Sequence, residues 1–163
     1  MTMHHALPPI TISTYDYNRL MLTAFVTEHP HKPQANFLLS ELRRATLCRA
    51  DELPDDVIST NCRVIYRIDD EDKTHARLLV HPEDLKWPGA EICVTTPLGT
   101  ALLGLRIGDE MPYSAGEGAP DHKVRVEGMG LRFLDDALAW RVLPATDSEI
   151  RLSPVRMIRK LDG

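Results

Sequence analysis

The side chains best suited to metal binding are those of histidine and cysteine, and they are scattered along this chain. Four of the seven histidines occur in two pairs, His4 with His5 and His29 with His31, but none of the cysteines lies close to either pair in the sequence. Structural zinc sites usually have four ligands, often including cysteines at close spacing. We therefore predict that the chain binds no metal ion.

The three cysteines are also the candidate nucleophiles. Cys48, Cys62 and Cys93 lack the CxxC spacing of redox sites. Elsewhere the sequence contains no GxSxG, GxxxxGK(S/T) or HExxH motif to supply a nucleophile, a phosphate cradle or a zinc site. An isolated cysteine is usually a small, buried or half-buried apolar side chain. We interpret the cysteines as structural and expect a protein that is not an enzyme and needs no cofactor.

The charge distribution bears on the class of partner. The net charge is -5, whereas proteins that follow a nucleic-acid backbone usually present a net basic face to the phosphates. Basic residues do cluster at Arg43, Arg44 and Arg49 and again within residues 151–160, but we interpret both clusters as solvated surface. Direct nucleic-acid binding by these clusters would show an affinity that falls steeply with salt. A protein partner is the better expectation.

Cysteine usage and hydropathy together predict a cytoplasmic protein. The number of cysteines is odd, and no export signal precedes them. No apolar run approaches the roughly 18 to 20 residues that a transmembrane helix requires. We accordingly expect no membrane partner.

Two short amphipathic helices are predicted in the first third of the chain. Residues 12–16 offer a capping hydroxyl and an acid in the first turn, which indicates a helix over 14–27. A second helix is expected from Pro33 to about Cys48, because prolines interrupt the chain between the two. Both carry apolar stripes at helical spacing: Tyr17, Leu20, Met21, Ala24 and Phe25, then Ala35, Leu38, Leu39, Leu42 and Ala45. They predict an antiparallel helical hairpin, a short coiled coil, over residues 10–50.

The periodicity changes beyond residue 55. Residues 97–104 have a proline start, an apolar middle and a glycine stop, which predict a short helix of about two turns. Around it, short runs rich in branched and aromatic residues predict strands at 63–68, 76–80, 92–95, 111–114 and 123–127. We therefore predict an α+β chain with a second domain over 55–130, followed by an extension of unassigned structure over 131–163.

The segment around the short helix resembles a known family. Residues 95–109, TTPLGTALLGLRIGD, are similar to the signature of the carboxy-terminal domain of the Gre-factor family. Residues 42–64 contain LRRA, Cys48, LPDDVIS and NCRV in succession. This junction resembles the branch of the family named regulators of nucleoside diphosphate kinase. The resemblance extends over residues 10–129.

The resemblance implies a fold and a partner. Gre-factor proteins have a helical hairpin followed by an FKBP-like antiparallel sheet packed on a short helix, and they bind RNA polymerase at the rim of its secondary channel. The chain is thus expected to regulate transcription elongation or initiation, reaching DNA only through the polymerase complex. In the family the turn before the short helix faces the polymerase, so Thr95, Thr96 and Pro97 are the expected partner-binding residues. The same residues could instead only cap and start the helix.

The resemblance also bears on transcript cleavage. Cleavage-stimulating members carry an Asp and a Glu at the tip of a much longer hairpin, where the pair helps to hold a catalytic Mg²⁺. The predicted tip here contains Glu28, His29, His31 and Lys32, with no second acid. Helices of roughly 15 residues would span only about 22 Å. We therefore expect polymerase binding without cleavage activity.

The name of the branch supplies an alternative partner. A regulator of nucleoside diphosphate kinase could contact the kinase directly, or it could change kinase levels through transcription. Direct contact with the kinase is kept as the second hypothesis.

Overall fold

The structure is a computed structural model that describes residues 6–27, 33–116 and 118–132. The chain divides into two units, Met1–Gly130 and Leu131–Gly163, and the described residues belong almost entirely to the first. The predicted hairpin tip, within residues 28–32, lies outside the described residues, as does the predicted extension from residue 133 onward.

Two helices form the amino-terminal hairpin, α1 over Thr14–Thr27 and α2 over Pro33–Arg44. The predicted start of α1 is confirmed, because the Ser13 hydroxyl accepts a hydrogen bond from the N–H of Asp16 at 3.1 Å and caps the first turn. The predicted end of α2 near Cys48 is wrong. The helix stops at Arg44, and Thr46–Cys48 instead forms a strand, β2.

Most of the predicted apolar stripes face inward, with Leu20, Ala24, Leu38, Leu39 and Leu42 buried. Phe25 departs from the prediction, since 62% of it is exposed. It lies about 100° around the helix from Ala24, and it joins Leu22 and Val26 on the outer face of α1.

A small parallel sheet that the sequence did not reveal lies at the base of the hairpin. Strand β1, Thr11–Ser13, pairs with β2, with Thr11 opposite Thr46. The N–H of Thr11 also donates to the carbonyl of Gly104 at 3.2 Å. Gly104 has a φ of +82°, and a Cβ there would lie 2.7 Å from the Cβ of Ile10. The positive φ and the close approach to Ile10 both require glycine at position 104. The contacts of Gly104 with Ile10 and Thr11 join the base of the hairpin to the rest of the unit.

The remaining strands form one five-stranded sheet in the order β5-β4-β3-β7-β6. The strands are β3 (Cys62–Ile68), β4 (His75–Val80), β5 (Glu91–Cys93), β6 (Glu110–Ser114) and β7 (Asp121–Arg132). β3 pairs antiparallel with β4, and β6 pairs antiparallel with β7. The prediction of an antiparallel sheet is wrong for one pair of strands, because β5 is parallel to β4. Residues 81–90, with a 3-10 helix at Pro82–Asp84, cross over between these strands, so the chain returns in its original direction.

The short helix α3, Pro97–Leu102, packs its apolar residues into the core. Ala101, Leu102 and Leu103 are buried as predicted, together with Val64 and Val124 of the sheet. The predicted α+β fold of hairpin, sheet and short helix is confirmed, whereas coiled-coil packing of the hairpin stays a prediction. Within the described ranges, no helix combines the length and the apolar character needed to cross a membrane.

Candidate functional site

The predicted partner-binding residues Thr95, Thr96 and Pro97 form the turn into α3, and we call them the α3 corner. Thr96 caps the helix: its backbone is extended, and its hydroxyl accepts a hydrogen bond from the N–H of Gly99 at 3.1 Å. The same hydroxyl donates to the carbonyl of Cys93 at 2.7 Å. Pro97 occupies the first turn, where its missing N–H leaves no helical hydrogen bond unmade. The sequence therefore predicted the local roles of Thr96 and Pro97.

The α3 corner is also accessible from outside the molecule. Thr96 is exposed, while Thr95 and Pro97 are half-buried. The Thr95 hydroxyl does not cap the helix but lies 3.0 Å from the thiol of Cys93. Capping leaves the outer side of Thr96 free to contact another molecule, so partner binding by these three residues stays a prediction.

Two interior contacts fix the backbone of the α3 corner. The buried Thr100 hydroxyl donates to the carbonyl of Val94 at 2.8 Å. Gly99 packs so tightly on the preceding strand that a Cβ at this position would lie 2.1 Å from the carbonyl oxygen of Cys93. The corner is thus a rigid surface element, and rigidity lowers the entropy that a partner must remove on binding.

A buried polar cluster of Asp16, Thr60 and His81, which we call the buried latch, connects α1 to the sheet. The Asp16 carboxylate accepts a hydrogen bond from the Thr60 hydroxyl at 2.6 Å, and its Oδ1 lies 3.1 Å from Nε2 of His81. All three residues are buried. Because an ionised carboxylate only accepts hydrogen bonds, Nε2 of His81 carries the proton of this contact. The latch fixes the first turn of α1 against the loops that flank β3 and β4.

Arg19 forms ion pairs with two acids near the contact between α1 and the sheet. The Arg19 guanidinium donates to Glu83 at 2.8 Å and to Asp84 at 3.0 Å. Partial burial alone would raise the pKa of the Glu83 carboxyl, but the hydrogen bond from Arg19 holds this pKa below its ordinary value. The charged form of Glu83 is therefore favoured. Both acids are largely solvated, so the pair orients α1 more than it stabilises the fold.

A surface groove of about 430 Å³ opens beside the α3 corner. Its lining residues come from α2, α3 and the β6–β7 hairpin: Phe37, Pro97, Pro112, Tyr113, Ser114, Gly116 and Asp121. The lining is therefore mainly apolar and includes one exposed carboxylate, that of Asp121.

Sequence reasoning missed both the buried latch and the groove. It treated Asp16 as an ordinary acid in a first helical turn, whereas its partners Thr60 and His81 follow 44 and 65 residues later. Similarly, the groove combines residues from α2, α3 and the β6–β7 hairpin. No local spacing signals either site, because each arises only when distant elements pack together.

Comparisons with known proteins agree with the geometry of this unit. Residues 53–128 match the family model described as transcription elongation factor, GreA/GreB, carboxy-terminal. Over 115 residues the chain is 33% identical to a regulator of nucleoside diphosphate kinase from Escherichia coli strain K12, covering 71% of this chain and 85% of that protein. The same values hold for the protein of that name from Shigella flexneri. A solved structure, a prokaryotic transcription elongation factor GreA/GreB from Nitrosomonas europaea, is 31% identical with a TM-score of 0.60, covering 74% of this chain and 98% of that one.

Proposed function

Because this chain belongs to the Gre-factor family and is thus a transcription-factor-like regulator, we propose that it acts by binding RNA polymerase. In this proposal the chain docks at the rim of the secondary channel and does not stimulate transcript cleavage. The α3 corner, Thr95 to Pro97, makes the contact.

The observation that carries the proposal is the geometry of the α3 corner. Its backbone is fixed by the cap of Thr96 and by the close approach of Gly99, yet Thr96 is exposed. The corner also lies inside residues 53–128, the segment that matches the elongation-factor family model. A rigid, exposed element in the matched segment is suited to recognising a protein surface.

The shortness of the hairpin supports binding without cleavage. α1 has 14 residues and α2 has 12, which correspond to lengths of about 21 Å and 18 Å. The sequence between the helices contains one acid, Glu28, where the cleavage-stimulating members carry two. A single carboxylate is a weak ligand for Mg²⁺, which prefers several oxygen ligands in an octahedral shell.

The name of the Escherichia coli relative, regulator of nucleoside diphosphate kinase, favours a second candidate, direct binding to that kinase. The two candidates separate in one experiment. The purified chain is titrated against immobilised core RNA polymerase and, in parallel, against the immobilised kinase. Binding to the polymerase with none to the kinase is the expected result, and the reverse pattern would replace the first candidate by the second.

Substitution at Thr96 tests the contact surface. Thr96→Asp keeps a side-chain acceptor for the Gly99 N–H, since Asp is a good capping residue. It loses the hydrogen bond that the Thr96 hydroxyl donates to the Cys93 carbonyl, and it places a charge and extra volume on the exposed corner. We expect polymerase affinity to fall about tenfold, while Thr96→Ser, the matched control, retains it. Thermal unfolding of both variants shows whether the cap is preserved. Equal affinity of a folded Thr96→Asp variant and the unchanged chain would remove the α3 corner from the interface.

A further inference from the structure

We propose that the outer face of α1 is a self-association surface, through which the chain pairs with a second copy of itself. Four exposed apolar side chains form this face, and we call them the α1 stripe: Tyr15, Leu22, Phe25 and Val26. The inference does not depend on polymerase binding, because the α3 corner contributes no residue to the α1 stripe. It predicts a weak, symmetric dimer of the full chain.

The α1 stripe has the spacing of a helix face that packs on another helix. Leu22 follows Tyr15 by seven residues, and the two remaining members follow Leu22 by three and four residues. At 3.6 residues per turn this spacing places all four side chains on one side of α1, within a sector of about 100°. The opposite side, which carries Leu20 and Ala24, is buried in the core. A helix with apolar residues on both sides is normally covered on both.

The charges of α1 favour a second copy as the partner. The helix contains two charged residues, Asp16 and Arg19. The Asp16 carboxylate is buried in the latch. The Arg19 guanidinium donates to Glu83 and Asp84 of its own chain. A partner with charged side chains at this surface would have to bury them against an apolar stripe, at a cost in free energy. An identical stripe has no charge to bury and brings no like charges together.

The exposed area of the α1 stripe sets the strength of the pairing. Tyr15 is 44% exposed, Phe25 62%, Leu22 65% and Val26 78%. From the usual areas of aromatic and aliphatic side chains, the stripe presents roughly 350 Å² in each copy, a size at which exposed apolar patches are often binding surfaces. Two copies would bury roughly 700 Å² through these side chains, to which flanking residues add. Stable interfaces bury about 1,200–2,000 Å², so the stripe predicts a transient dimer.

The α1 stripe is separate from the surface proposed to bind the polymerase. α2 packs against α3, and its Phe37 lines the groove beside the α3 corner. α1 packs on the other elements of the hairpin, which are α2, β1 and β2. Substitutions in the stripe therefore change self-association without altering a residue of the α3 corner or of the groove, and the two proposals can be tested independently.

Sedimentation equilibrium of the purified full chain, from about 1 µM to about 300 µM, tests self-association. We expect the weight-average mass to rise from the 18.4 kDa of one chain towards twice that value. Leu22→Glu places a charge in the α1 stripe and should weaken the dimer at least about tenfold. Leu47→Glu is the matched control, because Leu47 is also exposed but lies on β2, and it should pair like the unchanged chain. Thermal unfolding shows whether both variants are folded, and Val26→Glu replaces Leu22→Glu if that variant is not.

A mixture of two variants tests whether the partner is a second copy. In a symmetric dimer each α1 stripe meets an identical stripe, so the Leu22 side chains of both copies lie in one small interface. Leu22→Glu and Leu22→Lys should each remain monomeric, because like charges would be brought together. An equimolar mixture of the two should form a dimer that contains one copy of each variant.

Three results would overturn the proposal. The first is a chain that stays at 18.4 kDa at the highest concentration. The second is a folded Leu22→Glu variant that pairs as tightly as the unchanged chain, or a mixture with Leu22→Lys that stays monomeric. The third is a monomeric chain whose binding to core RNA polymerase is lost in Leu22→Glu, which would make the polymerase the partner of the stripe. If the chain dimerises but does not bind the polymerase, the proposed function fails and the self-association surface stands.

Discussion

Replacing Asp16 with alanine is expected to destabilise the fold by about 3 kcal/mol or more. The Asp16 carboxylate accepts hydrogen bonds from Thr60 and from His81, and all three residues are buried. Alanine would leave the Thr60 hydroxyl and the His81 ring N–H without an acceptor, at a cost of about 1–3 kcal/mol for each buried unsatisfied donor. Urea-induced unfolding followed by circular dichroism measures the change in the free energy of unfolding.

Two control variants isolate the buried latch as the cause. Asp16→Asn keeps an amide oxygen as acceptor and should lose roughly half as much stability as Asp16→Ala. Asn18→Ala lies on the same helix at an exposed position and should change the free energy of unfolding by at most about 0.5 kcal/mol. A loss below about 1 kcal/mol for Asp16→Ala would show that the latch contributes little to holding the hairpin on the sheet.

Replacing Gly99 with alanine is expected to cost about 3 kcal/mol, the upper end of the usual range for overpacking. The new Cβ would lie 2.1 Å from the carbonyl oxygen of Cys93, and the obstacle is backbone that cannot rotate away. Either α3 or the end of β5 must move, and the α3 corner moves with it. We therefore expect loss of polymerase binding as well as a lower melting temperature.

Gly89 provides the matched control for this substitution. A Cβ at Gly89 would meet no atom within 4 Å, so Gly89→Ala should change the free energy of unfolding by about 0.5 kcal/mol or less. If Gly99→Ala unfolds at the same temperature as Gly89→Ala and binds the polymerase normally, close packing under the corner is not what fixes its position.

The sequence predicted those helices and strands whose positions are set by neighbouring residues. The capping hydroxyl predicted the start of α1, and the prolines at 30 and 33 predicted the end of α1 and the start of α2. These signals are local because capping and proline geometry depend on near neighbours in the sequence. Short runs rich in branched and aromatic residues located β3 and β4 to within a residue. The motif around Pro97 likewise predicted both the short helix and its threonine cap.

The features that the sequence did not predict depend on contacts between residues that are distant in the chain. The three-residue strands β1 and β2 are too short to show a period, and they exist because their backbones pair with each other and with Gly104. The parallel direction of β5 is set by the crossover of residues 81–90, which alternation within a strand does not encode. The partners of Asp16 are remote in sequence, so the buried latch appears only in the folded chain.

The most direct test of the proposed function is transcript cleavage in stalled elongation complexes, with and without a cleavage-stimulating Gre factor. Alone, the chain should leave the transcript intact; added in excess, it should inhibit the cleavage that the other factor stimulates, because both would occupy the rim of the secondary channel. Inhibition should be weaker for Thr96→Asp and unchanged for Thr96→Ser. Cleavage stimulated by the chain itself, or full activity of the other factor at saturating amounts of the chain, would contradict the account.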